Sequence, residues 1–169
     1  MKAAILTVLS CFILSLLACE KLPAPVEQEA KQEEKKQPEE NGQQNGNENT
    51  QTMTMEITAG GKTITATLAD NATAKALAEK LKSGSVTVEM RANGFEHYGP
   101  LGFSLVRQDK QVTAVSGDIM LYNGNNICVF YGNNSWSYTP LGKVDGKTAD
   151  ELKAFFGTGT ITVTFSLKQ

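Results

Sequence analysis

From Met53 onward the sequence keeps returning to one pattern, an apolar residue followed by a threonine or another polar residue. Met53, Met55 and Ile57 alternate with Thr54, Glu56 and Thr58, and the stretches Thr63–Leu68, Val86–Met90 and Ile161–Leu167 repeat the arrangement. Successive side chains of a strand point to opposite faces, so a period of two predicts strands buried on one side. The β-branched residues in these stretches suit a pleated surface. Several strands with one apolar face each must close on themselves or stack to hide it.

The remaining elements follow from punctuation. Gly60-Gly61 separates the first two alternating stretches and predicts a hairpin. Asp70 or Asn71 is placed to cap a helix whose face carries Ala74, Leu77, Ala78 and Leu81 and which stops at Gly84. Ala92 to Leu105, with Gly94, Gly99, Pro100 and Gly102, reads as an unusually apolar loop, and Val112 to Val115 as a further strand. Asn123-Gly124-Asn125-Asn126 joins Ile119–Tyr122 to Ile127–Tyr131 in a second hairpin. Trp136–Thr139 and Leu141–Val144 read as extended. Thr148-Ala149-Asp150-Glu151 is a capping box opening a short helix that ends at Gly157. A mainly β fold follows, a small closed barrel with one helix at each end, with an α+β sandwich as the alternative.

This domain, residues 52–169, is preceded by two segments of different character. Residues 1–18 have the parts of a secretory signal: Lys2, an apolar stretch from Ala3 to Leu17, and small Ala18 before Cys19. The apolar stretch is short for a membrane span, which takes roughly 20 residues. Leu16-Leu17-Ala18-Cys19 resembles a bacterial lipobox, which implies that Cys19 becomes the lipid-bearing N-terminus and anchors the protein to a membrane of the bacterial cell envelope, outside the cytoplasm. Residues 19–51 are rich in Glu, Gln, Lys, Asn and Gly, lack aromatics, and carry Pro23, Pro25 and Pro38. Such a composition cannot bury enough surface to offset ordering entropy, so a flexible tether spanning about 30 Å is expected. The tether carries the acidic excess behind the formal net charge of −2. The domain itself is near neutral, which argues against a nucleic-acid partner.

The domain also carries a family resemblance. Gly117-Asp118-Ile119-Met120-Leu121-Tyr122, then Val129-Phe130-Tyr131-Gly132, then Ser135 to Lys143 (Ser-Trp-Ser-Tyr-Thr-Pro-Leu-Gly-Lys) resemble the bacterial cyclophilin-like domain family. Tyr98-Gly99-Pro100-Leu101-Gly102-Phe103 resembles that family's Tyr-Gly-x-Leu-Pro-Phe stretch, with Gly102 where proline is frequent. The resemblance implies a closed eight-stranded barrel with two helices. It does not imply prolyl isomerase activity. True cyclophilins have an arginine after Phe-His and a Gln-Gly-Gly-Asp segment, and neither is present. Arg91, which ends a strand beside the apolar loop, is expected to serve a structural ion pair rather than to steer a carbonyl.

Most chemistries lack their residues. His97 is the only histidine, and no nucleophile-elbow serine accompanies it. One His and, beyond Cys19, one Cys in the domain make a metal site improbable, and no glycine-rich turn ends in the Lys-Ser/Thr of a phosphate loop. No cofactor is implied. Cys128, within Ile127-Cys128-Val129-Phe130, reads as a buried thiol acting as a small hydrophobe. A glycosidase-type carboxylate pair would have to come from distant residues such as Glu96 and Asp118.

The positive signal is aromatic. Phe95, Tyr98, Phe103, Tyr122, Phe130, Tyr131, Trp136 and Tyr138 gather around two loops and their adjoining strands. Most are expected in the core, but Trp136 and Tyr138 lie two apart among serines and share one face of a strand. The candidate groove comprises Arg91, Glu96, Tyr98, Phe103, Tyr131, Trp136 and Tyr138, suited to a peptide or small ligand. Three readings follow: a noncatalytic binding barrel, a degenerate prolyl isomerase, and a structural envelope protein that binds another protein through the barrel surface.

Overall fold

The structure is a computed structural model that describes residues 52–168. The signal segment, Cys19 and the whole of the tether expected from the sequence lie outside the described residues.

Nine strands and two helices follow the alternation and its punctuation. Strands β1 (Thr54–Ala59) and β2 (Lys62–Leu68) form the expected hairpin, with Ala59 opposite Lys62. Gly60 and Gly61 both take positive φ, as a two-residue turn matched to strand twist requires. Helix α1 (Ala72–Lys82) is capped by Asn71, whose side chain accepts from the Ala74 amide at 2.8 Å. Its buried face carries Ala74, Leu77, Ala78 and Leu81, as the spacing predicts. Strand β3 (Val86–Ala92) follows, then β4 (Glu96–Pro100), β5 (Lys110–Ala114), β6 (Asp118–Tyr122) and β7 (Asn126–Phe130). Strand β8 (Asn134–Val144) leads to α2 (Ala149–Phe156), which the Thr148–Glu151 capping box opens, and β9 (Thr160–Leu167) ends the domain.

Two elements differ from the sequence expectation. The stretch read wholly as loop contains β4, which pairs with β7 from Glu96↔Phe130 to Pro100↔Asn126. The two extended pieces around Pro140 are one strand, β8. Pro140 is accommodated opposite Met120, where the β6–β8 register shifts.

The strands pair in the order β2-β1-β9-β3-β4-β7-β6-β8-β5, and β2 also pairs with β8. That additional contact joins eight strands in a ring and leaves β5 on the outer half of β8. The main core gathers residues from the ring strands and both helices, among them Ile57, Leu77, Leu121, Leu141, Leu152 and Phe165. A second, smaller cluster of Ala114, Met120, Cys128, Phe130 and Tyr138 lies apart from it. Strand β7 joins the two clusters. Ile127 and Val129 belong to the main core, and Cys128 and Phe130 to the second cluster. A strand buried on both faces reads as a continuous apolar run, which is the sequence of this segment.

Candidate functional site

The second cluster is the base of a cleft. Directly opposed residues share a face, so Glu96 stands beside Phe130 and Tyr98 beside Cys128, with Met120 beyond Cys128 on β6. On β8 the same alternation carries Asn134, Trp136 and Tyr138. Tyr138 packs edge-on against Phe130, ring centroids 5.5 Å apart, and against Tyr122 at 6.1 Å. Phe95 stacks on Phe130 at 6.0 Å.

Between these rings is a cavity of about 340 Å³. Glu96 and Tyr138, 5 % and 4 % exposed, are its most buried lining residues, whereas Trp136 is 56 % exposed. Tyr98, Tyr122 and Phe95 contribute further rings, and Asn93 and Asn134 contribute amides. Asn93 Nδ2 donates to Glu96 Oε1 at 3.3 Å, and Asn134 Nδ2 donates to the Tyr138 hydroxyl at 2.7 Å. Glu96 Oε2 is buried with no hydrogen-bond partner. Burial raises the Glu96 carboxyl above the ordinary 4.5, and the Asn93 hydrogen bond and the neighbouring Cys128 thiol oppose this only in part. Burial also pushes the Cys128 thiol far up, so it is inert as a nucleophile.

Of the residues expected in a groove, Glu96, Tyr98, Trp136 and Tyr138 line this cavity together. The other three lie elsewhere. The Arg91 guanidinium is stacked over the Tyr98 ring, 5.1 Å from its centroid. It makes no ion pair among the described residues, in contrast to the expectation from sequence. Phe103 packs against the main core beneath the Lys80 ammonium, and Tyr131 is buried there with its hydroxyl donating to the Glu96 carbonyl at 2.8 Å. Phe95, Tyr122, Asn93 and Asn134 complete the lining without having been singled out. The first two were visible as members of the aromatic set, but no local pattern marked the asparagines.

The other candidate groups are committed to structure. Asp118 pairs with Lys143 at 2.7 Å and accepts from the Val115 amide at 2.8 Å, so it is no partner for Glu96. His97 is fully buried, stacked on Phe156 with centroids 5.2 Å apart, and Nε2 donates to the Gly159 carbonyl at 3.1 Å. Among the described residues no three His, Cys, Asp or Glu side chains gather where they could share a metal ion, and no helix is long and apolar enough to cross a membrane. A second depression of about 320 Å³ lies beside Ile64, Lys147 and Phe155, and its one carboxylate, Glu151, is occupied by the α2 cap.

The described residues form a strand-rich domain with an aromatic, carboxyl-bearing cleft on one side of the sheet. A sequence model of the cyclophilin-like family matches residues 57–166, well over half of the chain, and the chain belongs to that family. No curated protein matches it.

Proposed function

We propose that this protein is a noncatalytic binding module of the bacterial cell envelope, held to a membrane by lipid on Cys19, whose cyclophilin-like domain takes a peptide or small ligand in the cleft between β4 and β8. The observation that carries the reading is the meeting of five rings, Phe95, Tyr98, Tyr122, Trp136 and Tyr138, around a buried carboxyl with one oxygen unpartnered among the described residues. A cavity of about 340 Å³ is of the size that holds a small ligand or one side chain of a peptide. A large exposed ring at its mouth, Trp136, is the kind of side chain that binding surfaces favour. In this reading the ring of eight strands is a closed barrel, a rigid base for the cleft. The tether gives the domain reach from the bilayer.

The noncatalytic part of the reading rests on residue chemistry. Arg91 is engaged with Tyr98, and among the described residues no second carboxylate and no histidine lines the cavity with Glu96.

Three experiments on the full chain test the reading. Isothermal titration calorimetry with a mixed peptide pool reports occupancy in the parent chain and in its variants alike. Binding should be lost in Trp136→Ala and kept in Arg91→Ala. Acceleration of prolyl isomerisation that disappears in Arg91→Ala would overturn the noncatalytic reading. Cys19→Ser should move the protein from the membrane fraction to the soluble fraction, and continued membrane association would overturn the anchor.

A further inference from the structure

Building on the binding reading above, we infer that the cleft recognises an alkylammonium group, carried either by a lysine side chain or by a small free amine. Three features of the cleft point to this chemistry.

The first is the wall. Aromatic faces carry negative quadrupole density and attract ammonium groups, most strongly where water is excluded. Tyr98, Tyr122 and Trp136 supply such rings around a single volume. The second is the base. Among the described residues Glu96 Oε2 is a buried oxygen with no hydrogen-bond partner, on a residue only 5 % exposed, while Asn93 serves Oε1. An unpaired buried polar atom is costly, and an N–H donor entering the cleft would remove that cost. The third is the charge balance. Among the described residues no lysine or arginine lines the cavity, so a cation entering it meets one carboxyl and no like charge in the lining. Arg91 is held against Tyr98 outside the lining. An anionic or strongly basic-patch-seeking ligand finds nothing complementary here.

The geometry also fixes how occupancy depends on pH. The titratable groups around Glu96 are Tyr98 on its own strand, Cys128 on β7, Tyr131 just beyond it, Tyr122 on β6 and Tyr138 on β8. Burial raises Cys128, Tyr131 and Tyr138 from values that are already alkaline. Glu96 is therefore the lining carboxyl on which pH acts, raised from 4.5 by burial. Burial favours its protonated form and an entering ammonium favours the carboxylate, so binding displaces protons from Glu96 wherever the acid form is populated. Affinity must rise with pH until Glu96 is ionised without help.

The test titrates the full chain with n-butylammonium, with N-acetyl-lysine methylamide and with n-butanol as a neutral isostere, following the heat of binding by isothermal titration calorimetry. Both cations should bind saturably and about tenfold or more tighter than butanol. Their affinity should increase as pH rises from 4.5 through the raised Glu96 value, and Glu96→Gln should weaken it about tenfold and remove the pH dependence. Glu96→Gln keeps the side-chain shape and the Asn93 contact, and Trp136→Leu, at an exposed position, gives a second variant that should also weaken the cations. Tighter binding of the lysine derivative than of butylammonium identifies a peptide source, and equal affinity identifies a free amine. Butanol binding as tightly as the cations, or Glu96→Gln leaving cation affinity unchanged, overturns the inference. If neutral peptides bind in a Trp136-dependent way and cations do not, the ammonium inference falls and the binding cleft stands. If no probe or peptide binds, both fall.

Discussion

Glu96 and His97 are adjacent in the chain and sit on opposite faces of β4, each buried and each with one side-chain atom lacking a partner. Glu96 Oε2 belongs to the cleft side, opposite Phe130, and His97 Nδ1 to the main-core side, opposite Val129. Burial disfavours the charged form of both, which raises Glu96 above 4.5 and lowers His97 below 6.5.

The two shifts act on stability with opposite sign. For Glu96 the folded chain holds the proton more tightly, so its contribution is complete below about 4.5 and is lost as pH rises through the raised value. For His97 the unfolded chain holds the proton more tightly, so stability falls as pH drops below about 6.5. Between those values the effects offset one another. Thermal melts across this range should give a shallow profile for the parent chain. Glu96→Gln should make the midpoint rise with pH, and His97→Gln should make it fall with pH. Parallel profiles for all three proteins would contradict the assignment.

Gly99 should tolerate no side chain. A Cβ there would lie 2.3 Å from the Glu89 carbonyl oxygen and 2.7 Å from Val88 Cγ1. Backbone cannot yield as a flexible side chain does, so Gly99→Ala should destabilise by on the order of 3 kcal/mol in denaturant melts. The same substitution at exposed Gly159, where a Cβ meets nothing, provides the control and should change stability little.

The α2 cap gives a smaller, local effect. The Thr148 hydroxyl accepts from the Glu151 amide at 3.3 Å, and the Glu151 carboxylate accepts from the Thr148 amide at 2.8 Å. Thr148→Ala should cost about 1 kcal/mol by chemical denaturation. Helix α2 carries Phe156 onto His97, so faster amide exchange after this change should extend to Gly159 as well as to the helix.

Trp136 and Tyr138 share one face of β8 but should answer differently to mutation. Trp136 is 56 % exposed, so Trp136→Ala should shift stability by only about 0.5 kcal/mol. Tyr138 is 4 % exposed and packs on Phe130, so Tyr138→Ala should cost about 3 kcal/mol. Equilibrium unfolding of the two variants side by side checks the contrast, and equal losses would place Trp136 in the core.

The elements legible in the sequence are those whose signals are local. The β1–β2 turn glycines, the Asn71 and Thr148 caps and the Asn123-Gly124 turn each specify their own conformation within a few residues. Strand β4 was hidden because Gly99 answers to a long-range contact: β4 passes so close to the Glu89 backbone that only glycine fits, and glycine beside Pro100 reads as loop. Continuity of β8 was hidden for a related reason. Gly142 allows the close approach of Thr67, and Pro140 occupies the register shift against β6. In the cleft, the spacing of Trp136 and Tyr138 revealed their common face. The roles of Asn93 and Asn134 depend on partners, Glu96 and Tyr138, that no nearby pattern could assign. Arg91 was expected to seek a carboxylate and instead found the ring directly across the ladder, Tyr98.

Strand β8 answers to two masters along its length. Its residues Gly142 to Val144 hold β2, while Asn134 to Tyr138 pair with β5 and supply three of the eight residues that line the cleft. The stretch that completes the ring of strands and the stretch that lines the cleft therefore share one strand yet use different residues, so substitutions at Asn134 or Trp136 alter the cleft lining while leaving the pairing at Gly142 untouched.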